Sequence, residues 1–296
     1  FITDGSGEQH FQGYKQLQDG SFAWVNLDYL GTFTGYSMNS KKDSNGNSLE
    51  NIIYVNDKGR VGIGGNINPQ ESLDVSGNVV FKANALSNPR LNVSGSGTKL
   101  IWNPLKAAFR AGRLTGAGPF SGNEGDNDNI GYASVVLGLD SAVSSEYSTV
   151  AGGFNNKITG NYGFIGSGDS NSISNLNNAI IGGRNNQISG NYSAILGGGF
   201  NTTDGGNKIT GDYAFIGGGS HNKADNYGVV LGGRYNIATG NMSVALGYRA
   251  KAKHQNTFVW ADGEESDFET TADNQFIIRA SEGVGIGTAT TSPNSM

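Results

Sequence analysis

The sequence predicts an all-β chain: a parallel β-roll, or solenoid, with 15-residue coils, flanked by small β modules. Three observations predict it. The first is a period. The phrase Tyr147-Ser148-Thr149-Val150-Ala151-Gly152-Gly153 restarts at Tyr162, and starts fall at Tyr132, Tyr147, Tyr162, Asn177, Tyr192, Tyr213, Tyr227, Met242 and Asn256. The spacing is 15 residues, except 21 after Tyr192 and 14 after Tyr213 and Met242. A fixed short period is the signature of a solenoid. The second observation is a pair of aliphatic columns. The fourth position reads Val135, Val150, Ile165, Ile180, Ile195, Ile216, Val230, Ala245, and the twelfth reads Val143, Ile158, Ile173, Ile188, Ile209, Ala224, Ala238. Two β-branched columns predict two short strands per coil, each turning one side chain inward. The third is a column of Gly138, Gly153, Gly168, Gly183, Gly198, Gly219 and Gly233, followed by one of Asn156, Asn171, Asn186, Asn201, Asn222 and Asn236. Gly and Asn tolerate positive φ, so these columns are expected at the corners. A disordered Gly/Asn tract would not keep two aliphatic columns in phase.

Fifteen residues close around only two or three inward side chains, yet the first strand is apolar on both faces. Positions three and five flank the inward position and point the other way. They read Ala179/Ile181, Ala194/Leu196, Val229/Leu231 and Val244/Leu246. Where position five shrinks to Gly166 or Gly217, position three grows to Phe164 or Phe215. An exchange of volume of this kind is what a packed face needs. The expected cover is the same face on sister chains, giving an intertwined parallel homotrimer. Its interface would be carried by Phe164, Ile181, Leu196, Phe215, Leu231 and Leu246.

The repeat resembles the head of trimeric autotransporter adhesins, in its period and in its Ser193-Ala194-Ile195-Leu196-Gly197-Gly198 core. The resemblance implies a left-handed parallel β-roll in which three chains pack side by side. The chain departs from that family in its 15-residue coil, where 14 is usual, and in a six-residue insertion near Thr202 to Asn207. A second internal repeat is similar to the shaft modules of phage tail fibres. Asn51-Ile52-Ile53-Tyr54-Val55 leads through a turn to Val61-Gly62-Ile63-Gly64. Gln275-Phe276-Ile277-Ile278-Arg279 leads likewise to Val284-Gly285-Ile286-Gly287. Pro69 and Pro293 follow, and the first copy continues into Leu73-Asp74-Val75. Val61-Gly62-Ile63-Gly64 lacks the third glycine and following helix of a dinucleotide loop.

Composition bounds the function. There are 48 Gly, 5 Pro, no Cys and 15% charged residues among 296, so turns dominate and long helices are not expected. A net charge of −5 argues against a nucleic-acid partner. No 18-residue apolar run is present, so no membrane insertion is expected. Without Cys there is no disulfide, thiolate nucleophile or Cys-ligated metal. The abrupt opening at Phe1 reads as a processed form or an internal fragment.

Taken in order, residues 1–50 form a small β module, with a hairpin expected around Phe11 to Leu27. Its aromatic residues pack in a core or trimer interface, or stack on sugar. Residues 51–84 are the first shaft module and 85–131 a connector. In the connector Lys99 to Asn103 reads as a strand stopped by Pro104. Lys106, Arg110 and Arg113 are expected to pair with carboxylates at a trimer seam, or to hold an anion. Residues 132–263 are the β-roll, with Trp260 expected to plug its end. Residues 264–296 are an incomplete second shaft module, with Glu264, Glu265, Asp267 and Glu269 in a solvated turn.

No catalytic, cofactor or metal site is expected. His10, His221 and His254 are scattered, and Glu124 to Asp128 lack EF-hand spacing. Sugar hydrolysis needs carboxylates facing each other, and inside the roll only Asp140, Glu146, Asp169, Asp204, Asp212 and Asp225 are available. The Thr residues are too irregular for an ice-binding array. The reading is a non-enzymatic, extracellular structural segment of a trimeric fibre, on a cell-surface appendage or a phage-like tail, able to join head to tail into a filament. The alternatives are an adhesive tip binding a host glycan or protein receptor, and a fibre-borne polysaccharide depolymerase. Candidate ligand-contact residues are Glu124, Asp126, Asp128, Thr202 and Asp204.

Overall fold

A computed structural model describes residues 95–118, 129–200 and 205–286, and in the first 82 residues the segments 2–3, 9–10, 12–16, 22–26, 36–38, 53–55, 60–63 and 70–75. The chain divides into two units, 1–82 and 83–296.

In the first unit Gln12–Gln16 pairs antiparallel with Phe22–Asn26, setting Tyr14 opposite Trp24. A second sheet runs Tyr36–Met38, Ile53–Val55, Val61–Ile63, Leu73–Val75, antiparallel until the last pair, which is parallel. Strand Tyr36–Met38 thus crosses the expected boundary at residue 50 to pair with the shaft module.

The second unit is a parallel β-solenoid with no α-helix among the described residues. Each coil contributes one strand to a twelve-stranded sheet and one to a nine-stranded sheet. In the long sheet the inward residues are Val136, Val150, Ile165, Ile180, Ile195, Ile216, Val230, Ala245 and Val259, each at most 4% exposed. Facing them from the short sheet are Val143, Ile158, Ile173, Ile188, Ile209, Ala224, Ala238 and Ala252, at most 1% exposed. The core therefore tapers from Ile facing Ile to Ala facing Ala.

The coil phase differs at the first turn. Val136, not Val135, stands in register with Val150, while Val135 pairs with Thr149 and faces out. The cause is one missing glycine. Val136-Leu137-Gly138 aligns with Val150-Ala151-Gly152-Gly153, so the coil starts at Ala133, which carries the positive φ of 49° seen at later starts.

The corners also differ from expectation. The glycine column does have positive φ, 92° at Gly183. Asn156, Asn171, Asn186, Asn222 and Asn236 do not; the left-handed residue is the one before, such as Asn155, Ser170, Asn185, His221 or Tyr235. The column asparagines point inward, at most 1% exposed. Each accepts at Oδ1 from the backbone N–H of the next: Asn171 onto Asn156, Asn186 onto Asn171, Asn207 onto Asn186, at 3.0 Å. Each Nδ2 donates to a carbonyl of its own coil and one of the next; for Asn186 these are Gly182 and Gly198, both at 3.1 Å. Asn207, not Asn201, holds the rung after Asn186. The six extra residues therefore enter one position earlier than the rung. Gly199 N–H still bonds Gly219 of the next coil, and Gly205 takes up the carbonyl role by accepting from His221.

The ends are closed by chain elements. Gly97–Asn103 and Ala108–Leu114 form a hairpin whose second strand starts the parallel ladder against Val135–Leu139. Arg110 stands in register with the inward Val136, 6% exposed, and donates to the carbonyls of Val143 (3.2 Å) and Asn129 (3.3 Å). Lys106 Nζ donates to the Ile130 carbonyl at 2.6 Å. Within the chain these two cations therefore bind backbone carbonyls at the start of the roll. Trp260 is no plug. Val259 and Ala261 point in and Trp260 points out, because strand alternation fixes the faces. The ladder continues past residue 263: Phe268–Glu269 pairs with the Ala250–Ala252 strand, and Phe276–Arg279 with Phe258–Ala261. The second shaft-like copy thus puts its strand into the parallel sheet, whereas the first pairs antiparallel with its own Val61–Ile63.

A Cβ at Gly183 would lie 2.1 Å from the Gly198 carbonyl oxygen and 2.7 Å from Asn186 Nδ2. Gly183→Ala should therefore lower stability by roughly 1–3 kcal/mol in chemical denaturation. Gly182→Ala, whose nearest contact is 3.5 Å away, should leave the midpoint nearly unchanged. Equal effects at the two positions would contradict the steric argument.

Candidate functional site: the outer face of the long sheet

The outward residues of the long sheet fall into two columns. One runs Thr149, Phe164, Ala179, Ala194, Phe215, Val229, Val244, Phe258, Phe276. The other, two residues on along each coil, includes Ile181, Leu196, Leu231, Leu246 and Trp260. All six residues expected at a trimer interface lie on this face. Leu231 (55%), Leu196 (49%), Ile181 (48%) and Phe164 (39%) are exposed in the single chain. Phe215 and Leu246 are half-buried. A Cβ on Gly166 would touch the Phe164 ring at 3.5 Å, and one on Gly217 the Phe215 ring, also at 3.5 Å. Each phenylalanine ring therefore borders the space its glycine leaves, which keeps the strip level. Leu100 (75%) and Trp102 (43%) begin the face and Phe276 (68%) ends it. At a strand spacing of about 4.8 Å the strip runs roughly 50 Å. Lone exposed apolar residues need no explanation; a continuous strip does.

The short sheet's outer face is polar by contrast, with Lys157, Ser172, Gln187, Lys208 and Lys223 in successive strands.

Two aromatic rows border the coils. On one corner tyrosines occupy a left-handed conformation with φ of 53–57° at Tyr147, Tyr162, Tyr192, Tyr213 and Tyr227. Their rings stack along the solenoid: Tyr147 on Tyr162 at 5.2 Å, Tyr192 on Tyr213 and Tyr213 on Tyr227 at 5.1 Å, interplanar angles 5–13°. The tyrosine column is plain in the sequence, but its left-handed backbone and its stacking are not, because the one depends on the corner and the other on the coil spacing. On the other corner His221 packs between Phe200 and Tyr235, and Arg234 and Arg249 lie over the Tyr235 ring at 4.8 and 5.1 Å.

Four acidic residues within the coils, Asp140, Asp169, Asp212 and Asp225, are engaged locally, and Glu146 is exposed. Asp169 pairs with Arg184 at 2.9 Å, and Asp212 accepts from Asn191 N–H at 2.7 Å. Asp225 accepts from Asn226 N–H at 2.9 Å, and buried Asp140 from Thr115 N–H at 2.6 Å. Among the described residues no group of three His, Cys, Asp or Glu could hold a metal ion. No described helix is long and apolar enough to cross a membrane. Glu124, Asp126, Asp128, Thr202 and Asp204 lie outside the described residues.

The acidic turn after the roll is more than a solvated loop. Glu264 pairs with Arg279 (3.5 Å), Glu265 and Asp267 with Arg249 (3.7 and 3.3 Å), and Glu269 with Lys253 (2.7 Å). Burial lowers the pKa of Lys251, against the pull of Asp267 at 3.6 Å. Exposed pairs of this kind contribute little each, but together they tie the last coil to its neighbour. Asp262 is the best-held acid: it accepts from Ser281 N–H at 2.8 Å and Arg279 Nε at 2.9 Å.

No protein-family model matches the chain, and no curated protein matches it.

The Ser281 backbone bond, then Arg279, hold the Asp262 carboxyl below its ordinary 3.8. A depressed carboxyl stabilises the fold fully above that value and loses its contribution as pH falls through the lower folded one. Hydrogen-exchange protection of residues 276–279 should therefore drop below pH 3.8, while that of 180–195 stays high. Asp262→Asn should show reduced protection already at neutral pH. Protection that is unaffected by this substitution would mean that Asp262 does not hold the coil.

Proposed function

We propose that this chain is a structural segment of a trimeric extracellular fibre, non-enzymatic and built to hold a rigid length between flanking modules. The observation that carries the proposal is the uninterrupted apolar face of the twelve-stranded sheet. A contiguous apolar strip roughly 50 Å long marks an interaction surface, and its partner must be equally long and equally periodic. A parallel copy of the same chain meets both requirements. Three copies around one axis would put this face inside and the lysine-bearing face of the short sheet in solvent. The resemblance to adhesin heads and tail-fibre shafts supports the same arrangement, as do acids engaged locally rather than set across a groove. Placement on a cell-surface appendage or a phage-like tail is part of the proposal, as is head-to-tail joining through the terminal modules.

Sedimentation equilibrium tests it: the mass should be that of three chains. Replacing Leu196 and Leu231 together by Asp should abolish assembly, since each would bury an unpaired charge at a cost of several kcal/mol. Gln187→Asp on the opposite sheet should leave the mass unchanged. A folded wild-type monomer would overturn the proposal.

A further inference from the structure

The stacked tyrosines have a gap one ring wide. In the coil between Tyr162 and Tyr192 the same corner is held by Asn177, with the same left-handed backbone, φ 56° against 57° and 53°. The coils stay in step through it. Tyr162 N–H bonds Glu146, Asn177 N–H bonds Asn161, and Tyr192 N–H bonds Leu176, each the residue before the preceding corner. The rings of Tyr162 and Tyr192 are thus two coil steps apart. With one step at 5.1–5.2 Å between ring centroids elsewhere in the row, two steps set the Tyr162 and Tyr192 ring centres about 10 Å apart. Exposure marks the same place. Tyr162 (54%) and Tyr192 (53%) are the most open of the row, against 46–51% for Tyr132, Tyr147, Tyr213 and Tyr227. Tyr147 is stacked on Tyr162, and Tyr192, Tyr213 and Tyr227 on one another. Tyr162 is stacked on Tyr147 on one side and Tyr192 on Tyr213 on the other, and the coil between them carries the exposed Asn177 in place of a ring.

The floor has its own chemistry. The Asn177 carboxamide has no hydrogen-bond partner among the described residues, so a donor and an acceptor are free. Leu176, 43% exposed, stands where neighbouring coils carry Asn161, Asn191 and Asp212. We propose that this gap is a binding slot for one pyranose ring of a surface glycan. Two aromatic faces about 5 Å from the slot centre suit a ring whose two faces are C–H and whose rim is hydroxyl. The carboxamide and the Tyr162 and Tyr192 hydroxyls would meet that rim. A planar aromatic guest would fill the width but leave the carboxamide unused. This does not depend on the trimer, though it adds an attachment role to the fibre reading.

Asn177→Tyr is the decisive variant. Tyrosine occupies this corner in five neighbouring coils, so it should fold normally and fill the slot. The probes are methyl glycosides of glucose, galactose, mannose and N-acetylglucosamine, with free tryptophan as the planar control, each read by saturation-transfer NMR on the assembled chain. At least one pyranoside should bind the wild type, and binding should fall about tenfold or more in both Asn177→Tyr and Tyr192→Ala. Assembly mass and melting temperature should hold in Asn177→Tyr. The slot is overturned if no pyranoside binds a wild-type chain of intact mass, if Asn177→Tyr binds as well as wild type, or if tryptophan alone binds. Each of these outcomes leaves the fibre reading standing.

Discussion

The solenoid depends on one buried carboxamide per coil. Asn156, Asn171, Asn186, Asn207, Asn222 and Asn236 form a continuous ladder, from Ser141, which accepts from Asn156 N–H, to Ala250, which donates to Asn236. Each rung satisfies backbone groups that the glycine corner would otherwise leave buried and unpaired, at about 1–3 kcal/mol apiece. The glycine column and the asparagine ladder are a single device. Asn186 Nδ2 reaches the Gly182 and Gly198 carbonyls because no Cβ stands at Gly183, where one would lie 2.7 Å from that nitrogen. Successive glycines must also approach as closely as their backbones allow.

The opposite corner solves the same problem with smaller groups. Ser148 Oγ accepts from Gly163 N–H at 2.9 Å, Asn178 Oδ1 from Ser193 N–H at 2.8 Å, and Ser193 Oγ from Ala214 N–H at 3.0 Å. Next to it the chain turns through a left-handed residue, which costs a non-glycine side chain about 1–2 kcal/mol. Tyrosine is a poor choice on backbone grounds alone. Stacking on the ring one coil away contributes about 0.5–1.5 kcal/mol, so the row supports itself once two coils are in register. Asn177 lies between Tyr162 and Tyr192 without a ring of its own to stack on them, and asparagine tolerates the turn unaided.

Two sheets of one coil therefore serve different surroundings. Their inward columns are interchangeable in kind, aliphatic and fully buried. Their outward columns are not: one is Phe, Ala, Ile and Leu, the other Lys, Ser and Gln. Identical backbone repeats thus carry an asymmetric surface, and any assembly of this solenoid must reckon with one apolar face.

The sequence by itself determined the architecture. A period of 15 with aliphatic residues at two fixed places leaves a parallel solenoid as the structure that buries both columns in phase. It also placed Phe164, Ile181, Leu196, Phe215, Leu231 and Leu246 on a common face, because strand alternation is local. What it could not place depended on contacts between coils. A missing glycine shifted the first coil by one residue, so Val136 rather than Val135 entered the core; only pairing with Val150 reveals this. The asparagines looked like corner residues, since composition cannot tell a side chain that turns the chain from one that bonds the next turn. Nothing in the sequence set Arg110 in register with the inward Val136, where it donates to the Val143 carbonyl, because that depends on the strand carrying it joining the ladder. The tyrosine row, and the gap at Asn177, exist only at the 5 Å spacing of stacked coils. Local patterning decides which way each side chain points; the stacking of coils decides what it meets.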